Sequence, residues 1–149
     1  MQTFLAGQSY SQSAALLDNK RLGKQRVECL QILQIIGRKQ GWLPNPENKK
    51  GFWNHPAVRM WESNPYALAL YTDIICDEWK FRGFQDTVLP KTKVLVKLMP
   101  PAINHRQYPD WYNQEFIRSH QSNLIRKDPD FYGPKFPGVP DNLPYIWPV

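Results

Sequence analysis

Apolar residues in this chain recur at three- and four-residue intervals and hardly anywhere alternate, and no other feature so limits what it can fold into. Ala14, Leu17, Leu22, Leu30, Leu33 and Ile36 lie at helical spacing, which predicts one long first helix capped by Ser11 or Ser13. Gly37 and the loop from Gly41 to Gly51, with Pro44 and Pro46, end it. A second helix is expected from Pro56, which suits a first-turn position, through Ala57, Val58, Met60 and Trp61 to a break at Asn64-Pro65. From about Tyr66 to Arg82 the pattern is richest, with Leu68, Leu70, Tyr71, Ile74, Ile75 and Trp79, and it stops at Gly83; this reads as the core helix. Val94 to Leu98 is either a strand or the end of a helix begun at Pro90, because the run is too short for its period to decide.

After a turn-rich stretch from Pro100 to Tyr112, helical spacing returns over Gln114 to Lys127 with Phe116, Ile117, Leu124 and Ile125. Beyond Asp128, six prolines alternate with Phe131, Tyr132, Phe136, Tyr145 and Trp147. Such a tail lacks regular secondary structure, yet it carries too much aromatic area for a disordered one, so it is expected to wrap over the domain and bury its rings. The fold class that follows is all-α: a compact single domain over 1–149, with long loops and an extended, packed tail over 128–149. A chain of 149 residues can bury about two-thirds of its unfolded surface in one core.

Within the first helix, the run Leu17-Asp18-Asn19-Lys20-Arg21-Leu22-Gly23-Lys24-Gln25-Arg26-Val27-Glu28 carries a basic stripe. Helical spacing puts Lys20, Lys24 and Glu28 on one face with Arg21 and Gln25 beside them, so the stripe ends in a single carboxylate. Phosphates would be drawn to the cations, and a carboxylate among them could act as general acid or base. The alternative is a solvated face with ordinary ion pairs, although Lys placed before Glu is the less favourable order for those. Nineteen Lys and Arg against thirteen Asp and Glu leave a formal charge of +6, which favours a polyanionic partner. On the last helix Arg118, His120, Ser122, Arg126 and Lys127 could form a second cationic wall facing the stripe across a groove, or simply a solvated face. His55, in Asn54-His55-Pro56, sits where it could cap a helix or meet a ligand, and His105 lies in a polar loop.

Cys29 and Cys76 both fall in apolar helical patterns and read as buried thiols of a reducing compartment rather than a disulfide. No Cys/His cluster has metal-site spacing, and no Gly-rich phosphate loop or Ser-His-Asp signature is visible, so neither metal nor cofactor is expected. No segment has the length of a membrane span and the start lacks the pattern of a signal peptide. A cytoplasmic protein of a bacterial cell or a phage-infected host is expected, a monomer with no membrane partner.

Three stretches resemble the small phage pyrimidine-dimer DNA glycosylases with abasic-site lyase activity, the UV-repair endonuclease V type. They are Leu17-Asp18 followed ten positions later by Glu28, the segment Cys76-Asp77-Glu78-Trp79-Lys80-Phe81-Arg82-Gly83-Phe84, and the helix from His120 with its exit Asp128-Pro129-Asp130-Phe131-Tyr132. Lys20 through Glu28 and Asn54-His55-Pro56-Ala57-Val58 are similar to a divergent sub-branch of that family in bacteria and phages. The resemblance implies double-stranded, damaged DNA as partner. It also implies a mechanism in which an N-terminal α-amine attacks C1′ of the damaged nucleotide, displaces the base, forms an imine with the opened sugar, and elimination cuts the strand. An α-amine, with its ordinary pKa near about 8, keeps a nucleophilic fraction at neutral pH.

Carried onto this chain, Glu28 takes the catalytic carboxylate role. Lys20, Arg21, Lys24 and Arg26, with Arg118, His120, Arg126 and Lys127, become candidate DNA contacts, and Gln2, Thr3, Asn54 and His55 candidate pocket residues. Arg21 stands where the family has His, His120 where it has Arg, and Val27 where it has Arg before the Glu. The family's nucleophile is a Thr exposed by loss of the initiator Met. Gln2 is large enough that Met1 is expected to remain, which makes the Met1 amine the reactive one. The other reading is a non-catalytic protein of the same fold, such as a phage accessory factor, that holds nucleic acid or another anionic ligand. A pure phosphate binder gains nothing from Glu28 amid cations, whereas a glycosylase needs it.

Overall fold

A computed structural model describes residues 1–149 as seven α-helices and a short 3-10 turn, with no strand. The expected first helix is two: α1 (Tyr10–Leu16) and α2 (Asn19–Gln40). Leu17 between them is extended, and each helix has its own cap. The Ser9 hydroxyl accepts from the Gln12 N–H and the Asp18 carboxylate from the Arg21 N–H, so neither Ser11 nor Ser13 caps; Ser13 is buried, taking the Gly7 N–H instead. The apolar register hides this break because Leu17 is buried whichever helix it joins. Gly37 stays helical, and α2 stops at Gly41, whose φ of 82° is the left-handed C-cap that favours glycine.

The helices α3 (Pro56–Trp61) and α4 (Pro65–Phe81) begin on their prolines, and Gly83 (φ 92°) follows the end of α4. The ambiguous run near Val94 is helical, the end of α5 (Leu89–Leu98), while α6 (Gln114–Lys127) has the expected bounds. The tail is more regular than expected: Asp128 accepts from the Phe131 N–H to start α7 (Pro129–Tyr132), and the 3-10 turn over Gly133–Lys135 follows.

One cluster of 30 buried residues takes side chains from all seven helices, so a single core serves the chain. Helices α2 and α4 cross at its centre. A Cβ on Gly23 would lie 2.8 Å from Trp79 Cη2, so this position must be glycine for α2 to lie against that indole. Arg82, at the end of α4, donates to the Ala14 and Ala15 carbonyls at 3.2 Å each and to Asn19 Oδ1 at 3.0 Å, which ties α4 to the α1–α2 junction. Tyr132 does the same from the tail: its hydroxyl accepts from the Asp18 N–H and donates to the Asp18 carboxylate. The last residues are strapped to α6, where Ser122 Oγ accepts from the Leu143 N–H and the Arg126 guanidinium donates to the carbonyls of Asp141 and Leu143. Tyr145 stacks on the buried His120 ring, 4.7 Å between centroids.

Cys29 and Cys76 are buried free thiols; burial pushes Cys29 up to about 12 and raises Cys76 too, so both stay protonated. No helix is long and apolar enough to cross a membrane.

Candidate active site

Residues 3–7 are buried though they belong to no helix, which leaves their backbone polar groups to be met by side chains. Gln25 of α2 accepts from the Phe4 N–H at 2.8 Å and donates to the carbonyl of the half-buried Gln2 just before them at 2.7 Å. His120 Nδ1 of α6 accepts from the Leu5 N–H at 3.0 Å, Tyr71 of α4 donates to the Phe4 carbonyl, and Gln121 donates to the Ala6 carbonyl at 2.9 Å. Further along, Tyr112 donates to the Gly7 carbonyl at 2.6 Å. This N-terminal segment is therefore clamped by α2, α4 and α6, and the clamp fixes where Met1 and Gln2 emerge.

They emerge at a cavity of about 340 Å³. The α2 face supplies Lys20, Arg21, Lys24, Gln25 and Glu28 to its wall, α6 supplies Lys127, and the N-terminal segment supplies Met1, Gln2 and Phe4. Glu28 is the one carboxylate on that wall, against four cationic side chains, and Met1 lines the same cavity. The Gln2 N–H donates to Glu28 Oε2 at 3.3 Å, and Lys24 Nζ lies 3.7 Å from Oε1. The Glu28 side chain is 17% exposed and that of Lys24 73%, so the acid sits inside the cavity while the cation reaches out of it. Arg21 is braced by Asp18 at 3.1 Å. Burial raises the Asp18 carboxyl, but bonds from Tyr132 and Arg21 outweigh it and hold the group below the usual carboxylate range.

Several residues singled out by sequence lie elsewhere. Arg26 points away from the stripe to a 2.5 Å ion pair with Asp86, under the Trp79 ring at 4.6 Å, so it is a packing residue rather than a cavity cation. His120 is fully buried with no free face for a ligand, and burial lowers it to about 3, which keeps the ring neutral. The second cationic wall is accordingly not a groove wall of Arg118, His120 and Arg126. Arg118 lies nine positions before Lys127, half a turn round the helix, and lines a separate depression with Leu143 and Ile146; Arg126 is bonded to the tail. Thr3 is buried and accepts from the Trp61 indole N–H at 3.0 Å, a structural role.

His55 caps α3, its Nδ1 accepting from the Ala57 N–H at 3.0 Å, which leaves the neutral ring with its proton on Nε2. Partial burial and the nearby α-amine both lower its pKa, while Glu28 raises it, so His55 stands close enough to feel the cavity's charges without lining it. Asn54 is exposed and outside the wall. Gln25 is the residue that sequence alone undervalues. Its place beside the stripe is visible, but the buried backbone it serves is 21 and 23 residues away. No three His, Cys, Asp or Glu side chains converge as a metal site would require.

The cavity thus brings the first residue of the chain, one carboxylate and a cationic rim to a single small volume, a combination suited to covalent chemistry on a phosphorylated substrate. A family model described as pyrimidine dimer DNA glycosylase matches residues 1–91, which takes in the N-terminal segment and α1 through the start of α5. No curated protein and no solved structure matches the chain.

Proposed function

From the chain's membership of the pyrimidine dimer DNA glycosylase family, we propose that it excises a damaged pyrimidine from duplex DNA and then cuts the strand at the abasic site. The α-amine of Met1 attacks C1′, and the bond from C1′ to the base breaks with its electron pair leaving on the base. Glu28 stabilises the positive charge that develops on the sugar, takes a proton from the nitrogen now attached to C1′, and passes it to the ring oxygen as the C1′–O bond breaks and the sugar opens to the imine. Glu28 then takes a proton from C2′, and the C3′–O bond breaks by elimination, releasing the downstream strand with a 5′ phosphate and leaving the unsaturated sugar on the upstream strand. Lys20, Arg21, Lys24 and Lys127 hold the phosphates on either side.

The observation that carries this reading is the shared cavity of Met1 and Glu28, with the Gln2 N–H bonded to that carboxylate. A phosphate-binding groove would be weakened by an acid in that position, whereas imine chemistry requires one.

Borohydride reduction of the protein mixed with UV-irradiated or abasic-site duplexes tests it, because reduction freezes an imine as a stable adduct. The native protein should give a covalent adduct and strand cleavage, and protein with a chemically blocked amino terminus should give neither. Absence of both with the native protein overturns the lyase reading. Binding that persists in that case and weakens steeply with salt would support the non-catalytic protein of the same fold.

A further inference from the structure

Met1 also lines a second cavity, of about 470 Å³. Ile35 and Arg38 of α2 form part of its wall, and Lys49 and Phe52 of the following loop form another. Phe52 is 65% exposed and has a φ of 63°, while Asn48 in the same loop has a φ of 50°. These are the chain's two non-glycine residues in the left-handed region, a conformation that persists only where surrounding bonds enforce it. The bonds are present. Asn45 donates to the Lys49 carbonyl at 2.8 Å and accepts its N–H at 3.1 Å; the His55 N–H donates to the Phe52 carbonyl at 3.0 Å; and Lys39 Nζ donates to the Trp53 carbonyl at 2.9 Å. A braced loop therefore holds an apolar ring out in solvent, in a cavity it shares with Arg38 and Lys49, instead of folding it onto the core.

Building on the glycosylase reading, we propose that Phe52 is an aromatic wedge that stacks against a base of the duplex beside the reacting nucleotide, with Arg38 and Lys49 meeting the flanking phosphates. An exposed aromatic ring with two cations in the same cavity, Arg38 and the Glu47-paired Lys49, matches a ligand with flat apolar faces and anionic edges, which is what a nucleic acid strand presents. Met1 joins the two cavities, so a base held on Phe52 keeps the neighbouring C1′ next to the amine. Phe52 acts as a positioning residue and does not touch the reacting atoms.

The test compares affinity for an intact duplex with affinity for the same duplex carrying a tetrahydrofuran abasic analogue, whose missing base leaves room for a wedge. The native protein should prefer the analogue duplex, and Phe52→Ala should lose about ten-fold of that preference while its salt dependence is unchanged, since no phosphate contact is removed. Phe52→Trp should retain the preference. Preference unaltered by Phe52→Ala in a protein that still forms the borohydride adduct overturns the wedge alone, as does Phe52→Trp behaving like Phe52→Ala. A native protein that binds neither duplex and forms no adduct overturns the glycosylase reading and the wedge with it.

Discussion

The Gln2 N–H and the Glu28 carboxylate meet at 3.3 Å across 26 positions of sequence, which places the start of the chain against the third turn of α2 in one fixed geometry. Glu28→Gln keeps an oxygen that can accept that N–H and removes only the charge and the proton-carrying capacity. Single-turnover cleavage of an abasic duplex should therefore fall about 100-fold or more while thermal stability stays near that of the native protein. Cleavage at the native rate in Glu28→Gln would remove the carboxylate from the mechanism.

Gln25 controls the same geometry from beneath. Gln25→Leu fills similar volume but leaves the buried Phe4 N–H and the half-buried Gln2 carbonyl without their partner. A buried group so stranded costs about 1–3 kcal/mol, so denaturant unfolding should show a loss of at least about 1 kcal/mol. The N-terminal segment is also freed to move relative to Glu28, and borohydride trapping should fall even at temperatures where the variant is fully folded. Unchanged stability and trapping together would show that the clamp does not set the position of Met1.

How much of this could be read in the sequence depends on whether the cause is local. Helices α3, α4 and α6 are set by prolines, glycines and apolar spacing inside their own segments, and they appear where those signals put them. Glu28 and the Lys20, Arg21 and Lys24 stripe are equally local, since one helix face presents them all. The division of α1 from α2 is a local matter too, but Asp18 acts as a cap against an apolar pattern that runs straight through Leu17. His120 shows the opposite difficulty. Its neighbours Arg118 and Arg126 suggest a surface, yet Phe116, His120 and Leu124 are spaced four apart and form a buried stripe, in which the Leu5 N–H meets Nδ1 of the imidazole while Nε2 is buried without a partner. The Lys127 side of the cavity, the Gln25 clamp and the Asp86 partner of Arg26 depend on contacts between distant segments, which no local pattern encodes.

The cations divide into two classes that salt dependence can separate. Lys20, Arg21, Lys24 and Lys127 line the cavity, while Arg118 lies on the far face of α6. Replacing any one of the first four by Ala should lower the slope of log K against log salt for duplex binding by about 1, irrespective of sequence, and Arg118→Ala should leave it unchanged. Equal effects from Arg118→Ala and Lys127→Ala would mean that DNA covers a different face.

Burial of His120 gives folding a pH dependence of defined sign. The folded ring stays neutral down to about 3, whereas in the unfolded chain it takes a proton near its ordinary value of about 6.5. The unfolded state thus binds more protons below that value, so stability is full above it and is lost progressively as pH falls towards the folded value. Asp18 and Asp86, both held below the usual carboxylate range, add their losses only below about pH 4. His55, also lowered, contributes to the same window as His120. Asp73 also titrates here, because burial pushes its carboxyl up to about 6 and makes it favour the folded state as pH falls, so melts between pH 7 and pH 5 isolate the part due to His120 only by comparison with a variant. In His120→Asn the amide oxygen stands in for Nδ1 and can still accept the Leu5 N–H, but nothing at that position titrates. Its melting temperature should fall less steeply over this range than that of the native protein, and parallel curves would show that His120 is protonated in the folded state.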